Sequence, residues 1–313
     1  MKALIVGAGS VGQIYGYALQ QGGAEVSVYV RPKYIEESRK GFALYPLNRG
    51  RSPAPVRFTP NSVLSNPAEV AAAHWDVVML CVPTTGVSDP GFGALLDATG
   101  DATIVSLIPG PDAAAFVAQH IPASRTASGL IPLISYPTPM PGESRPEPGT
   151  AYWVPPFSHT PLTGPLDRTE IVARTLRAGK LPAKAKPETG AISGIGFPDA
   201  LLLILVQSLK HSGWKFRGLY QNFATFRDAR REAALIVERK TGTKRPAWLE
   251  WIGVPALKLV AFASRVIVPF DMEIYLQVHF TKVGEQMRLG LEKYIGEAEA
   301  LGIEVRALPR IRA

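Results

Sequence analysis

The chain has 313 residues, which suits two domains of about 100–200 residues each. Apolar residues make up 46% of it and charged residues 19%, which excludes a disordered chain, and the single cysteine, Cys81, excludes an internal disulfide. The net charge is +8, but the basic residues are scattered, so we predict no nucleic-acid binding.

The first 130 residues alternate between strand and helix patterns. This alternation predicts βαβ units and a parallel sheet. The predicted elements are strands over residues 3–6, 25–30, 76–82 and 103–107, with a helix over 11–21 after the first strand. Because Met1 leads directly into an apolar strand, we expect no secretory signal and a cytoplasmic protein.

The pattern changes after residue 125. Strands are predicted over 126–136 and 150–154, a helix over 167–178, and a last edge strand over 183–186. A glycine-rich stretch between Pro187 and Pro198 has the composition of a hinge. We therefore predict a first domain over residues 1–189 and a second over 190–313.

The second domain is predicted to be helical to its end. The predicted helices cover residues 199–220, 223–241, 247–267 and 273–301, and the last one stops at Gly302. The apolar stretch from Trp248 to Phe270 carries charges and two prolines, so we predict a buried or dimer-forming helix rather than a membrane span. A contact with a membrane surface is the alternative for this stretch, but we predict no membrane partner and a homodimer. The fold class is thus α/β, with an N-terminal Rossmann domain and an all-helical C-terminal domain.

A phosphate-binding turn is predicted between the first strand and the first helix. Gly7-Ala-Gly9-Ser-Val-Gly12 is a G-x-G-x-x-G in the context that this motif requires. Gly7 permits the tight turn, Gly9 lets the backbone approach a pyrophosphate, and Gly12 lets the helix pack closely on the strand. Ser10 and Val11 complete the predicted contact with the cofactor.

Two cations follow the second strand, where an NAD site usually has a carboxylate. Arg31 offers a planar fork to a 2′-phosphate, and Lys33 adds charge. We therefore expect NADP(H) rather than NAD(H) as the cofactor.

These residues, with the strand–helix order and the helical second half, resemble the ketopantoate reductase (2-dehydropantoate 2-reductase) family. The resemblance implies a Rossmann domain joined to a helical substrate domain, and NADPH-dependent reduction of a 2-oxo acid to a 2-hydroxy acid. It also implies cofactor contacts after the fourth and fifth Rossmann strands, at Val82, Pro83, Pro109 and Gly110.

The chain departs from the family at its substrate positions. The family usually has a lysine after the fourth strand and an Asn-Gly after the fifth, where this chain has Val82-Pro83 and Pro109-Gly110. The resemblance therefore implies a small carbonyl substrate, either a 2-oxo acid or a related ketone or imine, but not ketopantoate itself.

The catalytic candidates lie at the start of the second domain. The family places a lysine and two asparagines along its first helix there, and in this chain Gln207, His211 and Lys215 are four residues apart. On one helix face they would supply an amide, an acid and a cation for carbonyl reduction. His279 and Lys282 are the alternative donors, and no spacing of ligands predicts a metal site.

Two functions fit this sequence. The first is an NADPH-dependent oxidoreductase that reduces the carbonyl substrate to a hydroxy or amino product. The alternative is a non-catalytic NADP-binding sensor or scaffold. The missing family residues favour this alternative, whereas the polar stripe and the full phosphate-binding turn favour the oxidoreductase, which is our prediction.

Overall fold

The computed structural model describes residues 1–51, 53–187, 196–282 and 284–312. The chain divides into two compact units, Met1–Ile192 and Ser193–Ala313. The predicted boundary between residues 189 and 190 lies outside the described residues, as does most of the hinge-like stretch.

Short strands and helices alternate through the first unit. Its strands are β1 (Lys2–Val6), β2 (Glu25–Tyr29), β3 (Phe42–Pro46), β4 (Val56–Phe58), β5 (Val63–Leu64), β6 (Val77–Leu80), β7 (Thr103–Ser106), β8 (Thr126–Gly129), β9 (Ile134–Thr138), β10 (Gly149–Trp153), β11 (Thr160–Thr163) and β12 (Ala183–Lys186). Its helices are α1 (Ser10–Gln21), α2 (Ile35–Arg39), α3 (Pro67–Ala71), α4 (Phe92–Asp97), α5 (Pro111–His120) and α6 (Leu166–Ala178).

The main sheet has the strand order β12-β11-β8-β7-β6-β1-β2-β5. The strands from β8 to β5 are parallel, whereas β11 runs antiparallel to β8 and β12 forms the predicted edge strand. Strand β1 is buried on both faces, as its unbroken apolar sequence predicts. Ala3 and Ile5 join the core under α1 and α6, while Leu4 and Val6 join the core under α4 and α5. The predicted parallel sheet of a Rossmann domain is therefore confirmed.

The strand order reverses at β1. The chain passes from β1 to β2 on one side and later crosses to β6 on the other. In open α/β sheets, ligands bind outside the carboxyl ends of the strands at such a reversal. The carboxyl end of β1 leads directly into the glycine turn before α1.

A second sheet, β4-β3-β10-β9, packs against α1. Gly16 permits this packing, since a Cβ there would lie 2.6 Å from the ring of Phe58 in β4. The prediction of one strand over 126–136 is wrong, because β8 belongs to the main sheet and β9 to the second one. Pro132 lies between them, and proline has no N–H to donate to a strand ladder.

The second unit is helical within its described residues, as predicted. Its helices are α7 (Phe197–His211), α8 (Phe216–Gln221), α9 (Phe223–Thr241), α10 (Val254–Ile267), α11 (Met272–Lys282) and α12 (Gly284–Ala300). Its core forms where α7, α9 and α12 meet, around the buried Ile204, Phe226 and Leu291. The C-terminal end of α12 is followed by Gly302 at a φ of +66°, which confirms the predicted helix stop.

The predicted helix over 199–220 is wrong as a single element. The chain leaves α7 after His211, and Gly213 and Trp214 both take a positive φ, of 68° and 62°. The N–H of Trp214 returns to the carbonyl of Leu209 at 2.7 Å, which closes the helix end. Lys215 is consequently the N-cap of α8 and not a residue of α7.

The apolar stretch of the second unit forms a short 3-10 helix, Ala247–Trp251, followed by α10. In the part of the chain that the structure describes, no helix combines the length and the apolar character needed to cross a membrane.

Candidate functional site

The glycine turn between β1 and α1 is held in place from both sides. The N–H of Gly7 donates to the carbonyl oxygen of Tyr29 at 2.9 Å, which ties the turn to the end of β2. Gln13 Nε2 donates to the carbonyl of Ala8 at 2.9 Å, and Gln13 Oε1 accepts from Thr150 Oγ1 at 2.6 Å. The second sheet therefore braces the turn through Gln13, a contact that the motif alone did not predict.

The three glycines of the turn meet different surroundings. Gly7 has a φ of +93°, and a Cβ there would lie 2.8 Å from Val82 Cγ1. A Cβ on Gly12 would lie only 2.0 Å from the carbonyl oxygen of Gly7, so α1 can approach β1 this closely only with glycine. A Cβ on Gly9 would meet nothing within 4 Å. The space beside the Gly9 backbone is thus open, as a bound pyrophosphate requires.

The N-terminus of α1 offers free donors to an anion. Gly9 is the N-cap and supplies no side-chain hydrogen bond, and the first turn holds no acidic residue. The first intrahelical bond runs from the N–H of Gln13 to the carbonyl of Gly9 at 2.9 Å. The N–H groups of Ser10, Val11 and Gly12 precede it and have no intrahelical acceptor. With the positive end of the helix dipole, these groups suit a phosphate.

The two predicted phosphate-recognising cations lie just past β2. Arg31 and Lys33 are exposed, and both stand over the ring of Tyr34. The Arg31 Cζ lies 5.4 Å from the ring centroid and the Lys33 Nζ lies 4.9 Å from it. Stacking on an aromatic ring restrains a guanidinium without using its N–H donors. Sequence reasoning missed Tyr34, although an aromatic residue three positions after Arg31 was a usable signal.

The loops after β6 and β7 lie side by side. Thr84 Oγ1 donates to the carbonyl of Pro109 at 3.1 Å, which joins the predicted cofactor contacts Val82 and Pro83 to Pro109 and Gly110. Gly110 takes a φ of +98° as the N-cap of α5. None of these four residues has a side chain that can form a hydrogen bond.

The pKa of Cys81 argues against a reactive thiol at this position. Burial raises the pKa of its thiol to about 12, so the thiol stays protonated at neutral pH. The thiolate is the form that acts as a nucleophile or metal ligand, so a thiol that stays protonated is poorly suited to either role. Within the described ranges, no three His, Cys, Asp or Glu residues lie together in a way that could hold a metal ion.

The three catalytic candidates of the second unit do not share one helix face. Gln207 is buried, and its Oε1 has no hydrogen-bond partner among the described residues. His211 is exposed at the C-terminal end of α7. Lys215 lies beyond the turn, where its Nζ pairs with Glu273 Oε2 at 3.1 Å. Gln207 and His211 are one turn apart on α7, but Lys215 is tied to α11.

His279 on α11 has a different environment. Its ring stacks on Tyr275 with centroids 5.2 Å apart, and it meets the ring of Phe280 edge-on at 4.9 Å. Burial, and secondarily the charge of Lys282, lower the pKa of His279 below its ordinary value. At neutral pH this imidazole is therefore uncharged.

The comparisons with known proteins agree with this architecture. Residues 3–156 match the family model described as ketopantoate reductase PanE/ApbA. Among curated proteins, none matches the sequence of this chain.

Solved structures share the fold over almost the whole chain. A 2-dehydropantoate 2-reductase from Methylococcus capsulatus is 18% identical with a TM-score of 0.65, covering 100% of this chain and 94% of its own. One from Porphyromonas gingivalis W83 is 17% identical with a TM-score of 0.63, covering 99% and 97%. A D-mandelate dehydrogenase, solved with NADH and anilino(oxo)acetate, is 13% identical with a TM-score of 0.59, covering 100% and 96%.

These structural similarities show the fold of the chain. The similarity in sequence is shown by the match to the family model. By that match, the N-terminal part of the chain, residues 3–156, is similar to the ketopantoate reductase PanE/ApbA family.

Proposed function

We propose that the chain is an NAD(P)H-dependent oxidoreductase that reduces the carbonyl of a small 2-oxo acid, or of a related ketone or imine. The observation that carries this proposal is the turn from Gly7 to Gly12, which leaves open space beside Gly9 at the unblocked N-terminus of α1. The family match supports the reaction type. The D-mandelate dehydrogenase of the same fold, solved with NADH and an oxo-acid, supports the cofactor and the substrate class.

The preferred cofactor is NADPH. Arg31 and Lys33 stand where a carboxylate would repel the 2′-phosphate, and Tyr34 holds both cations in place. A guanidinium with free N–H groups can bind a phosphate through two parallel hydrogen bonds.

The substrate is not ketopantoate. Val82, Pro83 and Pro109 offer no polar side-chain atom after β6 and β7, where the family resemblance implies a lysine and an asparagine. The polar contacts to the substrate must then come from other residues, and the second unit supplies the candidates. The orphaned Gln207 Oε1 is one of them, because a buried amide oxygen without a partner is costly unless a ligand satisfies it.

The second unit also supplies the proton in this proposal. A bound nicotinamide would supply the hydride, and the chain must donate a proton as charge grows on the substrate oxygen. His211 is our first candidate, since it is exposed at the end of α7 and lies one turn from Gln207. Lys215 becomes a weaker candidate, because its ammonium group is already paired with Glu273.

His279 is the second candidate for the proton donor. Its half-buried ring lies between two aromatic side chains, which fixes its orientation. Its lowered pKa means that it would have to gain its proton during the cycle, and Lys282 on the next turn is the neighbouring cation.

A turnover screen tests the proposed function. Purified protein is mixed with NADPH, or separately NADH, and with a panel of 2-oxo acids, ketones and imines, and loss of the reduced cofactor is followed by absorbance. We expect oxidation of NADPH with at least one member. A His211→Ala variant should lose about 100-fold or more in turnover and keep its cofactor affinity.

The outcomes of this screen are distinct. Cofactor binding without turnover on any substrate would favour the non-catalytic sensor or scaffold. Turnover that survives both His211→Ala and His279→Ala within a few-fold would place the proton donor on neither residue.

A further inference from the structure

The segment that joins β8 to β9 presents two apolar side chains to solvent. Leu130 is 57% exposed and Ile131 37%, whereas Leu133 is 7% exposed and lies in the core. The N–H of Leu130 donates to the carbonyl of Pro161 in β11 at 3.4 Å, and Pro132 restricts Ile131 to an extended backbone. The two exposed side chains therefore stand on a backbone that is held on both sides.

The register of the main sheet places these two residues beside the loops after β6 and β7. Ser128 of β8 pairs with Ser106 of β7, which pairs with Leu80 of β6. Two and three residues beyond these partners, the chain has six residues that we call the apolar edge. They are Val82 and Pro83 after β6, Ile108 and Pro109 after β7, and Leu130 and Ile131 after β8. None of the six has a charged or hydrogen-bonding side chain.

The apolar edge begins at the glycine turn and runs away from β2. A Cβ on Gly7 would lie 2.8 Å from Val82 Cγ1, so the β6 end of the edge touches the turn. Strands β6, β7 and β8 follow one another on the side of β1 that is opposite to β2. β8 is the third strand from β1, about 14 Å away at about 4.8 Å per strand.

This strand order decides which part of a dinucleotide would lie along the edge. The proposed function assigns the pyrophosphate to the turn after β1 and the 2′-phosphate to Arg31 after β2. The other half of the dinucleotide, which carries the nicotinamide, would extend across β6 and β7. A substrate that accepts hydride beside the nicotinamide would therefore meet Leu130 and Ile131 on its far side, after β8.

An edge of this composition discriminates among the parts of a 2-oxo acid. The carboxylate and the keto oxygen need hydrogen-bond donors, and burying them against apolar groups removes water without replacing it. An apolar side chain loses no such partner, and it gains free energy as its surface leaves water. The side chain of the substrate is thus the part that suits contact with Leu130 and Ile131.

We propose that the apolar edge makes this chain selective for 2-oxo acids with a branched or aromatic apolar side chain. Leu130 and Ile131 are the specificity-determining residues, and they pack against that side chain. This inference rests on the proposed function and narrows its substrate class. The reaction itself is unchanged: the keto carbon receives hydride and its oxygen a proton, which gives the 2-hydroxy acid and the oxidised cofactor.

A matched pair of substrates tests this selectivity. In oxaloacetate a carboxylate takes the place of the isopropyl group of 4-methyl-2-oxopentanoate. Wild type should prefer 4-methyl-2-oxopentanoate by at least about 10-fold in kcat/KM, because an apolar pocket gains from the methyl groups and penalises the charge. Leu130→Ala should lower this preference by about 10-fold. Leu130→Lys, which places a cation at an exposed position, should reverse it in favour of oxaloacetate.

Leu166 offers the matched control within the same unit. It is 50% exposed and follows β11, which runs antiparallel to β8 and therefore ends at the opposite edge of the sheet. Leu166→Ala and Leu166→Lys should leave the preference between the two substrates unchanged. NADPH affinity should stay at the wild-type value in the variants of both leucines, since neither contacts the predicted phosphate sites.

A titration with unreactive ligands gives a readout that needs no turnover. N-isopropyloxamate has the shape of 4-methyl-2-oxopentanoate with NH in place of CH₂, and its amide carbonyl does not accept hydride. Calorimetry of the NADPH-saturated chain should show at least about 10-fold tighter binding of N-isopropyloxamate than of oxamate. Leu130→Lys should abolish this difference, and Leu166→Lys should keep it.

The outcomes separate this inference from the proposed function. Equal kcat/KM for the two substrates, or a preference that survives Leu130→Lys unchanged, would overturn the selectivity and leave the oxidoreductase standing. Absence of turnover on every carbonyl compound would overturn the oxidoreductase, and the oxamate titration would then decide: tighter binding of N-isopropyloxamate supports the apolar edge, and equal binding overturns it. A folded chain that binds no NADPH would overturn both.

Discussion

Alanine should affect different properties at Gly12 and at Gly9. Gly12→Ala should destabilise the fold, whereas Gly9→Ala should weaken cofactor binding. At Gly12 the new Cβ would lie 2.0 Å from the carbonyl oxygen of Gly7, so the turn or the helix must move. Overpacking of this kind costs about 1–3 kcal/mol, with a fall in Tm of about 2–4 °C for each kcal/mol. At Gly9, with φ −72° and ψ −178°, a Cβ meets nothing within 4 Å. Gly9→Ala should therefore fold as wild type.

The cofactor affinity of the Gly9→Ala variant then reports on the site. Its methyl group enters the space that we assign to the pyrophosphate and displaces charge-assisted hydrogen bonds worth about 1.5–3 kcal/mol, a loss of about 10- to 100-fold in NADPH affinity. Thermal unfolding and fluorescence titration with NADPH measure the two effects. Gly296→Ala, at an open position on α12, is the control and should change neither cofactor affinity nor fold. A folded Gly9→Ala protein with wild-type NADPH affinity would refute the placement of the site.

Two further variants test the remaining features. Arg31→Ala should weaken NADPH binding by about 10- to 100-fold and leave NADH binding within about twofold, since only NADPH carries the 2′-phosphate. The control in the same titrations is Arg306→Ala, which removes an exposed arginine of the second unit. Burial and Lys282 lower the pKa of folded His279, so protonation favours the unfolded state, and Tm should fall as pH drops below the ordinary histidine value of 6.5. The His279→Asn variant should show a shallower fall over the same range, and a slope identical to that of wild type would contradict this environment.

The sequence predicts those parts of the fold that depend on local patterns. Apolar runs such as Ala3–Val6 can be buried only in a covered sheet, and the helix over 223–241 is observed with the same bounds as α9. The open space at Gly9 and the tight packing at Gly12 could be predicted from the motif, because the steric limits on its glycines are set by residues a few positions away.

The features that the sequence did not predict depend on contacts between residues that are distant in the chain. The second sheet joins β3 to β10, about a hundred residues apart in the chain, and short strands of this kind have little signal of their own. The burial of Gln207 and the pairing of Lys215 with Glu273 likewise arise from packing between helices. The end of α7 could have been predicted from the sequence, because Gly213 follows a helical pattern as a C′ glycine does.

The location of the dinucleotide is the central claim, and a crystal structure of the chain with bound NADPH tests it most directly. We predict the pyrophosphate at the N–H groups from Gly9 to Gly12, and the 2′-phosphate beside the Arg31 guanidinium over Tyr34. A cofactor bound away from the turn between β1 and α1, or no bound cofactor at saturating NADPH, would contradict the account.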